Sequence, residues 1–579
     1  MRNISLKSLA VVGLAVATLS SCNSMKDLDK DYYSVNPNPL EVHGGKVKID
    51  INGQYPEKLF KKNVAVELTP QLRYESGKTD FKMVEFQGEE YPGNATVIPY
   101  ETGKTVSYTD EIDYTPEMAN SDLYVMIKGK KGDKVKEFEA IKLAEGFITT
   151  SLLVENDYQS SMVPPAYEQT TKHKQEGVIN FKVQSAVIRN SEVKHEDVEA
   201  IRQLVLNSGK HEKLTITGIS FDGYASPEGE ADNNTKLSDD RAENVEKIIV
   251  KVLKRAKIKY QDDFITKIGK GADWDGVYAA IKNSDIEDKE MILRSLDDQP
   301  LLDSKEATLQ SLATTYNMIK DDILPELRRT HIVVSYDLIG KTDEEIKELA
   351  TKSVEELKVE ITKDDNTKAY QLDAEEVLYA ASMQETKEGR LEIMKKGMEL
   401  YPADYRFATN AGHCSQMLGN NEEAISYFEQ AFQIEENDVT INNLAVATAF
   451  KGDVDAANEL YAKSTTAEAA YNRGIKAIKD GDYAKAIEEM QGKNTFNLAL
   501  AKVLNGDYDG GLKTLEAGDV KTCKADYLRA VASARLGKYD DAKDFLKSAF
   551  EKNPKLEEKA KKDLEFKEIY ATETAEAAK

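Results

Sequence analysis

Apolar and polar residues alternate along several stretches of the first third of the chain, the spacing of strands with one buried face. Residues 47–52 (Val-Lys-Ile-Asp-Ile-Asn) and 64–68 (Val-Ala-Val-Glu-Leu) show it, and residues 96–100 and 123–128 continue it. Turn signals such as Gly44-Gly45, Pro92-Gly93 and Lys131-Gly132-Asp133 lie between them. An antiparallel β-sandwich over 40–155 is predicted, followed by a linker over 155–173 that contains Pro164-Pro165. From residue 369 onward the pattern becomes one of short helices broken by Gly419, Gly452, Gly481, Gly506 and Gly537. These glycines are 33, 29, 25 and 31 residues apart (452−419, 481−452, 506−481, 537−506).

Between these regions, a strand-like run over 214–221 meets a glycine turn and then an amphipathic helix. Leu237, Val245, Ile248 and Val252 recur on one predicted helix face. Arg241 shares that face, with Asn234 about two turns earlier. A buried guanidinium needs an acceptor, because desolvating it unpaired is costly. The acceptor is either internal (Asp222, Glu228, Glu230 or Asp232) or arrives on a ligand.

Two resemblances follow from these residues. The run Gly223-Tyr-Ala, Gly229, then Asn234, Leu237-Ser238, Arg241-Ala242 and Val245 resembles the peptidoglycan-binding domain of OmpA-family envelope proteins. Residues 178–187 resemble that family's first strand and 327–336 its last, giving an α+β OmpA-like domain over 174–340. A helical insertion about 258–324, containing Trp274, is expected to pack beside it, and 341–368 to be a linker. The resemblance implies that Ser226, Asn234, Leu237 and Arg241 contact a peptidoglycan stem peptide, Arg241 through a carboxylate. Ser226 departs from the family: an aspartate usually stands there and pairs with the ammonium of the stem's diamino acid. The glycine-punctuated helices resemble tetratricopeptide repeats and imply an all-α solenoid over 369–570 with a solvated capping helix at its end. Such stacks bind peptide segments or partner proteins on a concave face.

The start of the chain adds a compartment. Arg2 and Lys7 precede an apolar run over 9–19, and Leu19-Ser-Ser-Cys22 resembles a bacterial lipobox. The resemblance implies a signal peptide over 1–21, acylation (palmitate) of Cys22 and a membrane lipid anchor. Residues 22–39 read as a flexible tether reaching at most ~60 Å. The order of segments resembles outer-membrane lipoproteins of Bacteroidetes.

Composition narrows this further. The chain has 579 residues and a net charge of −24, which disfavours nucleic acid. It has three cysteines and six scattered histidines, with no zinc spacing, so no metal or cofactor is expected; Cys414 and Cys523 read as buried thiols. The sequence contains no Gly-x-Ser-x-Gly elbow, His-Glu-x-x-His or phosphate loop, so the expectation is of a non-enzyme. Two readings stand. One is a lipid-anchored outer-membrane protein, on the periplasmic face, that grips peptidoglycan and offers its repeats to unknown envelope proteins. The other is a pure interaction scaffold, surface-exposed in one version, whose OmpA-like domain no longer binds wall.

Overall fold

Lys46–Tyr55 carries the strand alternation furthest, with Val47, Ile49, Ile51, Gly53 and Tyr55 buried and the residues between them exposed or half-buried. Those side chains meet Val66, Leu68, Leu72, Leu123, Val125 and Ile127 in one core, each contributing ~1.5–3 kcal/mol by leaving water. The computed structural model describes residues 28–571 other than 228–229, 287, 299–301, 312–318, 320–322 and 360–369. The expected signal peptide over 1–21 and the expected acylation site Cys22 lie outside the described residues. The chain forms two compact units, one running up to Val163 and resuming at Pro402, the other Pro164–Tyr401.

In the first unit the core lies between a five-stranded and a seven-stranded sheet, mostly antiparallel. The expected tether is shortened: Tyr33–Asn36 is a strand paired with residues 50–53. Lys104–Asp113 is a strand that the sequence reading missed. It pairs along the whole of Lys46–Tyr55, but its inward residues are only half-buried and include Asp110, which weakens the alternation.

The rest of this unit is a tetratricopeptide-like stack of helix pairs from Tyr405–Met417 to Tyr539–Lys552. The five turn glycines have φ between +72° and +94°, the left-handed backbone that an L side chain resists. The closing segment is not merely solvated. Lys555–Lys562 is a helix, and Phe566 behind it is fully buried edge-on against Tyr527.

The second unit holds an α/β domain. Its elements are β1 (Thr170–Asn180), α1 (Glu196–Ser208), β2 (Leu214–Ala225), α2 (Ala231–Ala256), β3 (Ile265–Ala272) and β4 (Arg329–Ile339). The sheet order is β1-β4-β2-β3, with only β2 and β3 parallel. A bulge between Ile216 and Gly218 restores the alternation, so Ile216, Ile219 and Phe221 all enter the core against both helices. The first strand lies earlier than expected, ending at Asn180, so 181–187 leave the sheet. The expected insertion begins with β3, an element of the sheet itself. Its helices follow as Trp274–Asn283, Lys289–Asp297 and Leu302–Ser311, with a hydrophobic core of their own around Trp274, Val277, Ile281 and Ile292.

Two linkers prove to be structured. Within the expected 341–368 linker, Asp343–Ala350 and Val354–Leu357 are helices, each opened by a capping box (Thr342 with Glu345, Ser353 with Glu356). The helix pair Ala374–Ser382 and Lys387–Leu400, inside the solenoid expected over 369–570, groups instead with the α/β domain. Of the other expected linker, 155–173, residues 155–163 are bound by the repeats and 170–173 open β1.

Candidate functional site

The cavity of the α/β domain is built where β2 hands over to α2. Gly223 lets the two elements touch: a Cβ there would sit 2.1 Å from the Ser238 carbonyl oxygen. Ser238 closes the crossing by donating to the Thr235 carbonyl and accepting from the Gly271 N–H. The buried face of α2 comprises Asn234, Ser238, Arg241, Ala242, Val245, Ile249, Val252 and Leu253. It is therefore rotated from the expected stripe, leaving Leu237 and Ile248 half-buried.

That rotation decides where the four sequence-predicted residues fall. Ser226, Asn234 and Leu237 line an open cavity of about 420 Å³, together with Val183, Gln184, Asn233, Lys236 and Asp240. Among the described residues, none of the helical insertion is in this lining. Arg241 lies behind the cavity, fully buried. It donates to the carbonyls of Ser185 (3.0 Å), Tyr224 (2.7 Å) and Lys182 (3.2 Å), and sits over the Phe181 ring at 5.2 Å. These bonds tie the loop after β1 to the end of β2 and hold Gln184 at φ +50° on the cavity wall. The acceptor expected of Arg241 is thus supplied in large part by backbone carbonyls. At Ser226, Arg328 Nε donates to the hydroxyl at 3.3 Å, so a cation stands beside this position.

The second site was missed in the sequence. In the repeats, four asparagines grip residues 155–163 by their main chain. Each side-chain oxygen accepts one backbone N–H, and each side-chain nitrogen donates to the carbonyl of the same residue. Asn497 holds Glu155 at 2.9 and 2.9 Å, and Asn472 holds Gln159 at 2.8 and 2.9 Å. Asn443 holds Ser161 at 2.7 and 2.9 Å, and Asn410 holds Val163 at 2.8 and 2.8 Å. The segment therefore runs opposite to the order of the repeats. Leu153 and Tyr158 join the hydrophobic core of the stack, Tyr158 against Tyr461 at 6.1 Å between ring centres. Ser160 pairs with His413 and Ser161 with Glu468. Asp157 accepts from the Tyr471 hydroxyl and from Asn497. Although Asp157 as a residue stays exposed, desolvation of its carboxyl end outweighs these bonds and pushes its pKa up to about 6.

A signal for this groove does exist in the sequence. Each of the four asparagines stands nine residues before its turn glycine (419−410, 452−443, 481−472, 506−497). In the last repeat the same position is Leu528, and the ladder stops there.

Among the described residues no group of three or more His, Cys, Asp or Glu side chains could hold a metal ion. Nor, among them, is any helix long and apolar enough to cross a membrane. Cys414 and Cys523 are thiols outside any disulfide, Cys414 buried and Cys523 half-buried.

No protein-family model matches the chain, and no curated protein matches it. Among solved structures it is similar to MamA, at 19% identity over 29% of this chain and 84% of that one, TM-score 0.16. It is also similar to YrrB, described as a TPR protein with an unusual peptide-binding site, at 19% identity over 31% and 87%, TM-score 0.18. Yeast Tom70 is similar at 14% identity over 51% and 65%, TM-score 0.24. The helix pairs and their left-handed turn glycines, rather than these similarities, identify the repeat stack.

Proposed function

We propose that the protein is a non-enzymatic scaffold of the cell envelope, lipid-anchored through Cys22 at the periplasmic face of the outer membrane. In this reading its α/β domain is OmpA-like and associates with peptidoglycan, and its repeats bind protein. The observation that carries the wall-binding half is the convergence of Ser226, Asn234 and Leu237 on one open cavity. Beside them stand a cation, Lys236, an anion, Asp240, and a second carboxamide, Asn233. A stem peptide offers carboxylate, ammonium and amide groups, which this set complements. Asp240 takes the ammonium that Ser226 cannot pair, and Arg241 positions the cavity wall through its carbonyl bonds. Calorimetric titration of soluble stem peptide into the full chain tests this, with Asp240→Asn as comparison. Loss of one charged partner weakens binding by about one to two decades; equal affinity of the two proteins would remove Asp240 from the account.

A specific observation favours a second reading. Arg241 donates to three backbone carbonyls and Ser226 is bonded to Arg328, an arrangement compatible with a domain kept for assembly alone. In that case neither protein binds stem peptide.

A further inference from the structure

The asparagine ladder has properties of a receptor. It recognises N–H and C=O groups, which every peptide carries, at residues 155, 159, 161 and 163. Selectivity comes from few side chains: Leu153 and Tyr158 are buried, and Ser160 and Ser161 fit where the groove is closed. Asn156, Asp157 and Met162 stay exposed. Emptied, the groove would strip Asn443, Asn472 and Asn497, all fully buried with the strap in place, of their paired backbone partners. It therefore favours being filled. The chain supplies the filler itself, tethered from the sandwich on one side and continuing at Pro164 on the other, so the local concentration is of order mM.

We propose that this groove is a binding site for an extended peptide of the pattern Leu-x4-Tyr-x-Ser-Ser, that the chain fills it in cis with 153–163, and that a partner's segment enters only in place of that strap. The proposal rests on the reading that the repeats bind protein, and it makes the strap a resident competitor for that binding.

The test uses the full chain with 155–163 replaced residue for residue by glycine and serine, and a fluorescent synthetic peptide spanning 152–164. Anisotropy should show binding to the replaced chain at least tenfold tighter than to the intact chain, lost again with Asn443→Ala and Asn472→Ala. A folded replaced chain that fails to bind, or equal binding to both chains, overturns the proposal. Should the replaced chain not fold, hydrogen exchange on the intact chain decides. The amides of Gln159 and Ser161 should be protected, and millimolar unlabelled peptide should speed their exchange; unchanged exchange overturns it. Peptide binding without capture of any partner protein would leave the site standing and refute the scaffold reading, and the converse result would do the reverse.

Discussion

The side-chain amide of Asn443 closes a two-bond ring on the backbone of Ser161, accepting its N–H at 2.7 Å and donating to its carbonyl at 2.9 Å. The two residues are 282 positions apart in the chain. Both are buried, so neither partner can turn to water if the other is removed. Asn443→Ala should therefore destabilise the first unit by about 1–3 kcal/mol, read as a lowered urea midpoint with unchanged slope. Asn420→Ala, at an exposed turn position without a capping bond, is the control and should move the midpoint by less than about 0.5 kcal/mol. Equal effects would deny the ladder its structural weight.

Asp157 gives the strap a pH dependence. Its carboxyl titrates at about 6 in the groove, against about 3.9 when free. The docked strap thus holds the proton more tightly, and docking is strongest below about pH 4. It weakens as pH rises towards 6 and is level above that. Asp157→Asn keeps the polar contact without the charge. Its melting temperature should exceed that of the wild type at pH 7, and the gap should close between pH 6 and 4. A gap that widens on acidification would contradict this.

The crossing of β2 and α2 predicts a sharp contrast between two glycines of one strand. Gly223→Ala drives a Cβ to 2.1 Å from a backbone oxygen that cannot retreat, whereas Gly218→Ala meets only the Phe264 carbonyl oxygen at 3.6 Å. The first should cost about 3 kcal/mol or more and the second much less. Circular dichroism melts of the two variants check it.

Much of this architecture was legible because periodicity reports burial directly. The alternation over 47–52 and the turn glycines became a buried strand and left-handed helix ends. What stayed hidden depends on partners far away in the chain. A leading segment read as tether because nothing in Tyr33–Asn36 announces that it pairs with residues 50–53. The strap read as linker because its apolar content is small and its main chain is satisfied by side chains 247 to 342 residues distant. The cavity was half legible. The motif placed Ser226, Asn234 and Leu237 together, but the expected stripe put Leu237 inside. Only the strand–helix contact at Gly223 shows that the face is rotated and that Arg241 lies behind the wall.

The central claim is that this cavity holds the cell wall, and co-sedimentation with purified peptidoglycan tests it most directly. Full chain, Asn234→Ala and Asp240→Lys are compared after confirming equal helix content. The account predicts that the wild-type chain pellets with the wall while both variants pellet at least tenfold less. A wild-type chain that stays in the supernatant would contradict it and leave the α/β domain as an assembly module.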